Sequence, residues 1–134
     1  MYKSLYSLAL ASLLAVSLSP AKAEPGPASI LQDLQTQAGQ AFSAKRGKAL
    51  FSGNHKGGKP DVPSCTTCHT SSPLKTGKTR AGKAIAPMAL SKRKDRYSDP
   101  KKVAKWFRRN CRSVLGRECT ALEKGDFITY MIAQ

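Results

Sequence analysis

The chain has 134 residues, one domain's worth, with 23 Lys and Arg against 8 Asp and Glu for a formal net charge of +15. That length suits a single domain with a modest core. The charge favours acidic partner surfaces over basic ones.

Residues 1–23 read as a secretory signal peptide, leaving a domain over 24–134. Lys3 supplies the positive start, residues 5–18 are apolar with small breaks, and Pro20 precedes Ala21-Lys22-Ala23, a small-residue site for cleavage after Ala23. The apolar run is short for an anchor helix, which needs about 20 residues, and no cysteine near the cleavage site offers a lipid anchor. The mature chain is therefore expected in the periplasm, without membrane insertion and in a compartment where disulfides persist. Cleavage removes Lys3 and Lys22 and lowers the net charge to +13. Residues 75–109 hold 13 Lys and Arg but only Asp95 and Asp99 as acids. Export argues against nucleic acid as the counterpart, so the tract points to an acidic protein surface.

Residues 24–29 form a loose lead-in. Ile30, Leu31, Leu34, Ala38, Ala41 and Phe42 recur at helical spacing, predicting a helix over residues 30–51 in which Gly39 and Gly47 either weaken the helix or let another element approach closely. Residues 53–63 are a loop by composition. Residues 75–99 lack periodicity and predict an irregular wrap with at most one helical turn. Asp99-Pro100 opens another helix running to about Asn110, with a further turn to Leu115 allowed before Gly116. Thr120 with Glu123 forms a capping box for the last helix, whose packed face holds Phe127, Tyr130 and Met131. No strand pattern is convincing. The predicted class is all-α.

Cys65-Thr66-Thr67-Cys68-His69 is the chemistry-bearing motif. Two thiols separated by two residues match the two vinyl groups on one haem edge, and the adjacent histidine falls beneath the iron, so the motif reads as attachment of one haem c with His69 proximal. Three rival readings exist: zinc held by Cys65, Cys68, Cys111 and Cys119; a thioredoxin-like redox pair; and a plain Cys65–Cys68 disulfide. Export disfavours the first, the lack of strands the second, and His69 the third. The second ring nitrogen of His69 is expected to donate to a carbonyl, with Pro73 and Pro87 as sources.

The opposite iron face separates an electron shuttle from a gas-binding site. Met88, Met131, His55, the lysines and Asn110 are the candidates. Met88 is near in sequence for a ligand on the far face and suits a gap-filling role; Met131 suits the core; His55 suits an exposed loop. Asn110 shares a helical face with Val103, Phe107 and Val114. Two readings stay open for it: a buried amide whose partner is iron, or a residue ending the helix. Cys111 and Cys119 are expected to form a disulfide worth roughly 2–3 kcal/mol, tethering the Asn110 helix to the last one.

The N-terminal helix, CTTCH, the tract Lys105-Trp106-Phe107-Arg108-Arg109-Asn110-Cys111 and the second cysteine at Cys119 together resemble the sphaeroides haem protein (SHP) family, monohaem high-spin cytochromes of class I type. The resemblance implies a small helical fold wrapped around one covalent haem, with the Cys111–Cys119 disulfide near the distal pocket. It implies Asn110 as the distal ligand of the oxidised iron, detaching on reduction to admit oxygen, nitric oxide or carbon monoxide. It also implies a dihaem cytochrome c as redox partner, which suits the basic tract. The related cytochrome c double-prime uses a distal histidine, and no histidine follows His69 here. A plain His/Met electron-transfer cytochrome is the alternative function. Slow reduction of oxygen or nitric oxide at an open haem is compatible with the residues, although none is a clear distal acid or base and only arginines such as Arg108 or Arg112 lie near in sequence.

Overall fold

The computed structural model describes residues 26–134, so the expected leader and its cleavage after Ala23 lie outside the described residues. Pro27 opens α1 (Pro27–Ala38), where a fixed φ suits the first helical position. Gly39 ends it at φ 69°, its N–H donating to Gln35 O. Ser43 then caps α2 (Ala44–Ser52) by accepting the Arg46 N–H. The single helix expected over residues 30–51 is thus two. The apolar spacing carries across the break, but the left-handed Gly39 and the Ser43 cap stop and restart the backbone.

The later elements are α3 (Thr66–His69), β1 (Gly77–Lys78), β2 (Ala84–Ile85), α4 (Pro100–Leu115) and α5 (Ala121–Ile132). Helix α5 packs on both α1 and α2. The α2–α5 crossing is close because Gly47 has no side chain: a Cβ there would strike the Asp126 backbone and approach the Tyr130 Cβ to 2.8 Å. Around the crossing, Phe51 meets Phe127 and Tyr130 with ring centroids 6.1 and 5.9 Å apart, and Phe107 meets Phe127 edge-on at 5.5 Å. Phe51, Ile128 and Met131 are fully buried. Each such side chain contributes about 1.5–3 kcal/mol by leaving water.

One charge is buried in this interface. The Asp126 carboxylate accepts the Ser43 N–H at 2.6 Å and Arg46 Nε and Nη2 at 2.6 and 2.9 Å. Three donors compensate its desolvation, and they tie the α2 N-terminus to the middle of α5.

Residues 75–99 wrap irregularly, as expected, with one helical turn at 89–93, where the Arg93 N–H donates to Ala89 O at 3.2 Å, and with a strand pair that was not expected. β1 and β2 are antiparallel, with Gly77 opposite Ile85 and Lys78 opposite Ala84. Two residues per strand are too few to show an alternating pattern in sequence. Asp99 accepts the Lys102 N–H and caps α4, and Gly116 closes it at φ 72°. Asn110 therefore does not end the helix, which continues to Leu115. The loop before the motif docks on this last turn: Lys59 N–H donates to Ser113 O at 2.7 Å, satisfying a terminal carbonyl. Thr120 and Glu123 form the expected capping box on α5.

No helix among the described residues is long and apolar enough to cross a membrane.

Candidate haem site

Ser64 fixes where the motif starts. Its buried hydroxyl donates to Phe51 O at 3.2 Å and accepts the Thr66 N–H and hydroxyl at 3.2 and 2.9 Å. One side chain thereby links the end of α2 to the first turn of α3. Thr70, at φ 61°, breaks the helix directly after His69, and its hydroxyl bonds Ser72 O. Gly77 backs the turn from behind: a Cβ there would strike Cys68 O and come within 2.9 Å of the His69 Cα. The motif is a single helical turn clamped at both ends and from beneath.

Cys65 and Cys68 are both unbridged, so the plain disulfide between them is absent. Cys111 and Cys119 are bonded to each other with Cα atoms 5.6 Å apart, which removes two of the four thiols a zinc site would need. Burial pushes the Cys65 thiol up to about 11, keeping it neutral. Burial likewise pushes the His69 imidazole down to about 4, with the Arg96 guanidinium adding to the effect. A neutral ring keeps a lone pair for a metal. Its Nδ1 is buried with no hydrogen-bond partner.

The two carbonyls expected for His69 are otherwise engaged. Pro73 O accepts the Met88 and Ala89 N–H groups at 2.8 and 3.0 Å, while Pro87 O accepts Arg96 Nε at 2.9 Å. Pro73 O is saturated; Pro87 O retains one lone pair. Arg96 also reaches Ala86 O at 2.6 Å, and the Tyr97 hydroxyl donates to Met88 O at 2.9 Å. Met88 and Met131 both sit in the hydrophobic core. His55 is not the exposed loop residue expected: it is half-buried, with Nε2 3.0 Å from Leu50 O and its N–H donating to Pro63 O.

Asn110 departs from expectation in burial. Phe107 and Val114 on its face are buried and Val103 is half-buried, but Asn110 is exposed and its side chain bonds to nothing among the described residues. No polypeptide element covers it. Ser64, Gly77, Arg96 and Tyr97 were not legible as site residues, since contacts made through folding leave no local motif; only the position of Ser64 directly before Cys65 was a hint.

Over 123 residues the chain is 47% identical to the cytochrome c-type protein SHP of Cereibacter sphaeroides, covering 91% of this chain and 95% of that one. The chain belongs to the SHP family of c-type cytochromes. Its residues 37–131 match the family model described as a domain of unknown function, DUF1924. The solved structure of oxidised SHP, described as an oxygen-binding cytochrome c, superposes with a TM-score of 0.80 at 46% identity, covering 84% of this chain and all of that one. Cytochrome c'' of Methylophilus methylotrophus is 33% identical over 71% of this chain and 67% of its own length. Its oxidised crystal structure superposes with a TM-score of 0.69 at 28% identity, covering 81% of this chain and 94% of that one.

The fold is thus the small helical one of the SHP cytochromes, and the cofactor is haem c. The residues present fit that group. Two unbridged thiols two residues apart, followed by a neutral imidazole with an orphaned ring nitrogen, form the donor set a covalent haem requires.

Proposed function

We propose that this protein is a periplasmic SHP-type cytochrome whose reduced haem binds oxygen, nitric oxide or carbon monoxide and which exchanges electrons with another cytochrome. Cys65 and Cys68 hold the haem by thioethers and His69 is the proximal ligand. Asn110 would hold the iron of the oxidised haem. When bound, the haem supplies a redox-active iron whose sixth position sets the chemistry.

The observation carrying this reading is the placement of Asn110. It stands uncovered on α4 between buried Phe107 and Val114, and the next residue, Cys111, is locked to Cys119. An amide without a polypeptide partner is free to serve as a ligand, and the disulfide fixes the backbone beside it. The amide oxygen is a hard, weak donor, adequate for ferric iron and poor for softer ferrous iron. On that ground Asn110 would hold oxidised iron and would be released from reduced iron. SHP itself is described as oxygen-binding, and a structure of cytochrome c'' is described in terms of haem-ligand detachment.

The basic tract supports an acidic electron partner, and a dihaem cytochrome c is the proposed one. Asn110→Ala is expected to retain covalent haem, alter the ferric absorption spectrum and abolish redox-linked ligand exchange, while ferrous protein still binds carbon monoxide. An unaltered ferric spectrum in Asn110→Ala removes Asn110 from the iron. A ferrous wild type that excludes carbon monoxide and shows a sulfur-to-iron band restores the His/Met shuttle.

A further inference from the structure

Helix α4 carries a basic face alongside the one that presents Asn110. The helix carries Lys101, Lys102, Lys105, Arg108, Arg109 and Arg112 and not one acid. All six are exposed, and among them lies Trp106, 46% exposed, one of only three large apolar side chains so exposed among the described residues. The Arg109 guanidinium stands over the indole at 5.1 Å from the ring centroid. This contact holds both side chains in place and lowers the entropy lost on binding.

The cations fall on two stripes. Lys101, Lys105 and Arg108 face a cavity of about 430 Å³ whose other wall includes Glu118, and Glu118 already pairs with Arg112 at 2.9 Å. Lys102, Trp106 and Arg109 recur at four and three residues and form a second stripe, in which no side chain is paired with a carboxylate among the described residues. Trp and Arg at the centre of a charged patch are the residue types that dominate protein–protein binding energy. Trp106 also lies one helical turn before Asn110, so a partner seated there reaches the helix that bears the proposed distal ligand.

We infer that Lys102, Trp106 and Arg109 form the docking contact for the acidic electron-carrier protein, with Trp106 as its anchor. The inference rests on the proposed exchange of electrons with a dihaem cytochrome c. Charge on the whole tract brings the partner in; the Trp106 stripe fixes where it stops.

Stopped-flow oxidation of a reduced, acidic dihaem cytochrome c by the full haem-loaded protein tests it. Trp106→Ala and Arg109→Glu should each raise the half-saturating concentration by about tenfold, whereas Trp106→Phe stays near wild type. Lys48→Glu, the same charge change at an exposed site on α2, serves as the control and should cost far less. Equal losses in Lys48→Glu and Arg109→Glu, with none in Trp106→Ala, would overturn the assignment and leave a diffuse field. A wild type whose rate shows neither saturation nor salt dependence overturns the partner itself, and the docking contact with it. Unchanged ferric and ferrous-carbonyl spectra in the variants separate a docking effect from damage at the haem.

Discussion

Glu123 performs two tasks at the start of α5. One of its oxygens accepts the Thr120 N–H at 2.8 Å and closes the capping box, while Arg117 reaches both oxygens at 2.8 and 2.6 Å. The Arg117 hydrogen bond is the chief reason the carboxyl is held down to about 2 from an ordinary 4.5. Since the folded value lies below the unfolded one, the stabilisation is complete above about 4.5 and disappears as the pH falls toward 2. Glu123→Gln keeps one oxygen for the Thr120 N–H but removes the charge and one of the two acceptors that Arg117 uses. Its urea midpoint should fall below wild type at neutral pH by the equivalent of about 0.5–1 kcal/mol, as for a well-aligned exposed pair, and the gap should close near pH 2. A pH-independent gap would assign the effect to packing. The capping box was legible from Thr120 and Glu123 alone because its spacing is local. Asp126 was not, although an acid flanked by Phe127 and Tyr130 on an apolar face does call for buried partners. Those partners, Ser43 and Arg46, are some eighty residues away.

Helix α4 shows how much an element boundary matters to function. Its start was readable in Asp99-Pro100, and its end at Gly116 was allowed but not required by pattern. What fixes the end is tertiary: the loop at residues 57–59 lies against the last turn so closely that a Cβ on Gly58 would collide with Val114 and Ser113. The extra turn places Asn110 inside the helix, where a cap is not needed. For α1 and α2 the error ran the other way, because hydrophobic spacing survives an interruption that only backbone conformation reveals. The disulfide joins α4 to α5 across residues 112–118, and removing it tests what α4 depends on. Cys111→Ser with Cys119→Ser should lower the free energy of unfolding by about 2–3 kcal/mol if the loop-closure effect is realised in full. The Asp99 cap and the Lys59–Ser113 bond remain, so helical circular dichroism should be unchanged below the transition. A loss of helix content in the native baseline would mean that the disulfide holds the turn itself.

At the scale of the whole molecule, most of the carboxylates among the described residues are paired with arginines. Asp61, Asp95, Glu118, Glu123 and Asp126 each pair with an Arg, and no lysine takes part in an ion pair among the described residues. The lysines are therefore uncompensated at short range and dominate the long-range field. Two opposing responses to salt follow. Three of the pairs have both side chains substantially exposed and are worth about 0–1 kcal/mol each, which salt weakens. Arg46–Asp126, with the carboxylate 4% exposed, is screened far less. Repulsion among more than a dozen unpaired cations spread over residues 45–124 is long-ranged, and it falls sharply as the Debye length shrinks from about 30 Å at about 0.01 M salt to about 8 Å at about 0.15 M. Repulsion should win. The thermal midpoint of the haem-loaded protein is expected to rise by a few degrees over that salt range at neutral pH, and Lys102→Glu with Lys105→Glu should both raise the low-salt midpoint and shrink the rise. A midpoint that falls with salt would mean that the arginine pairs, rather than the lysine field, govern the electrostatics of the folded state.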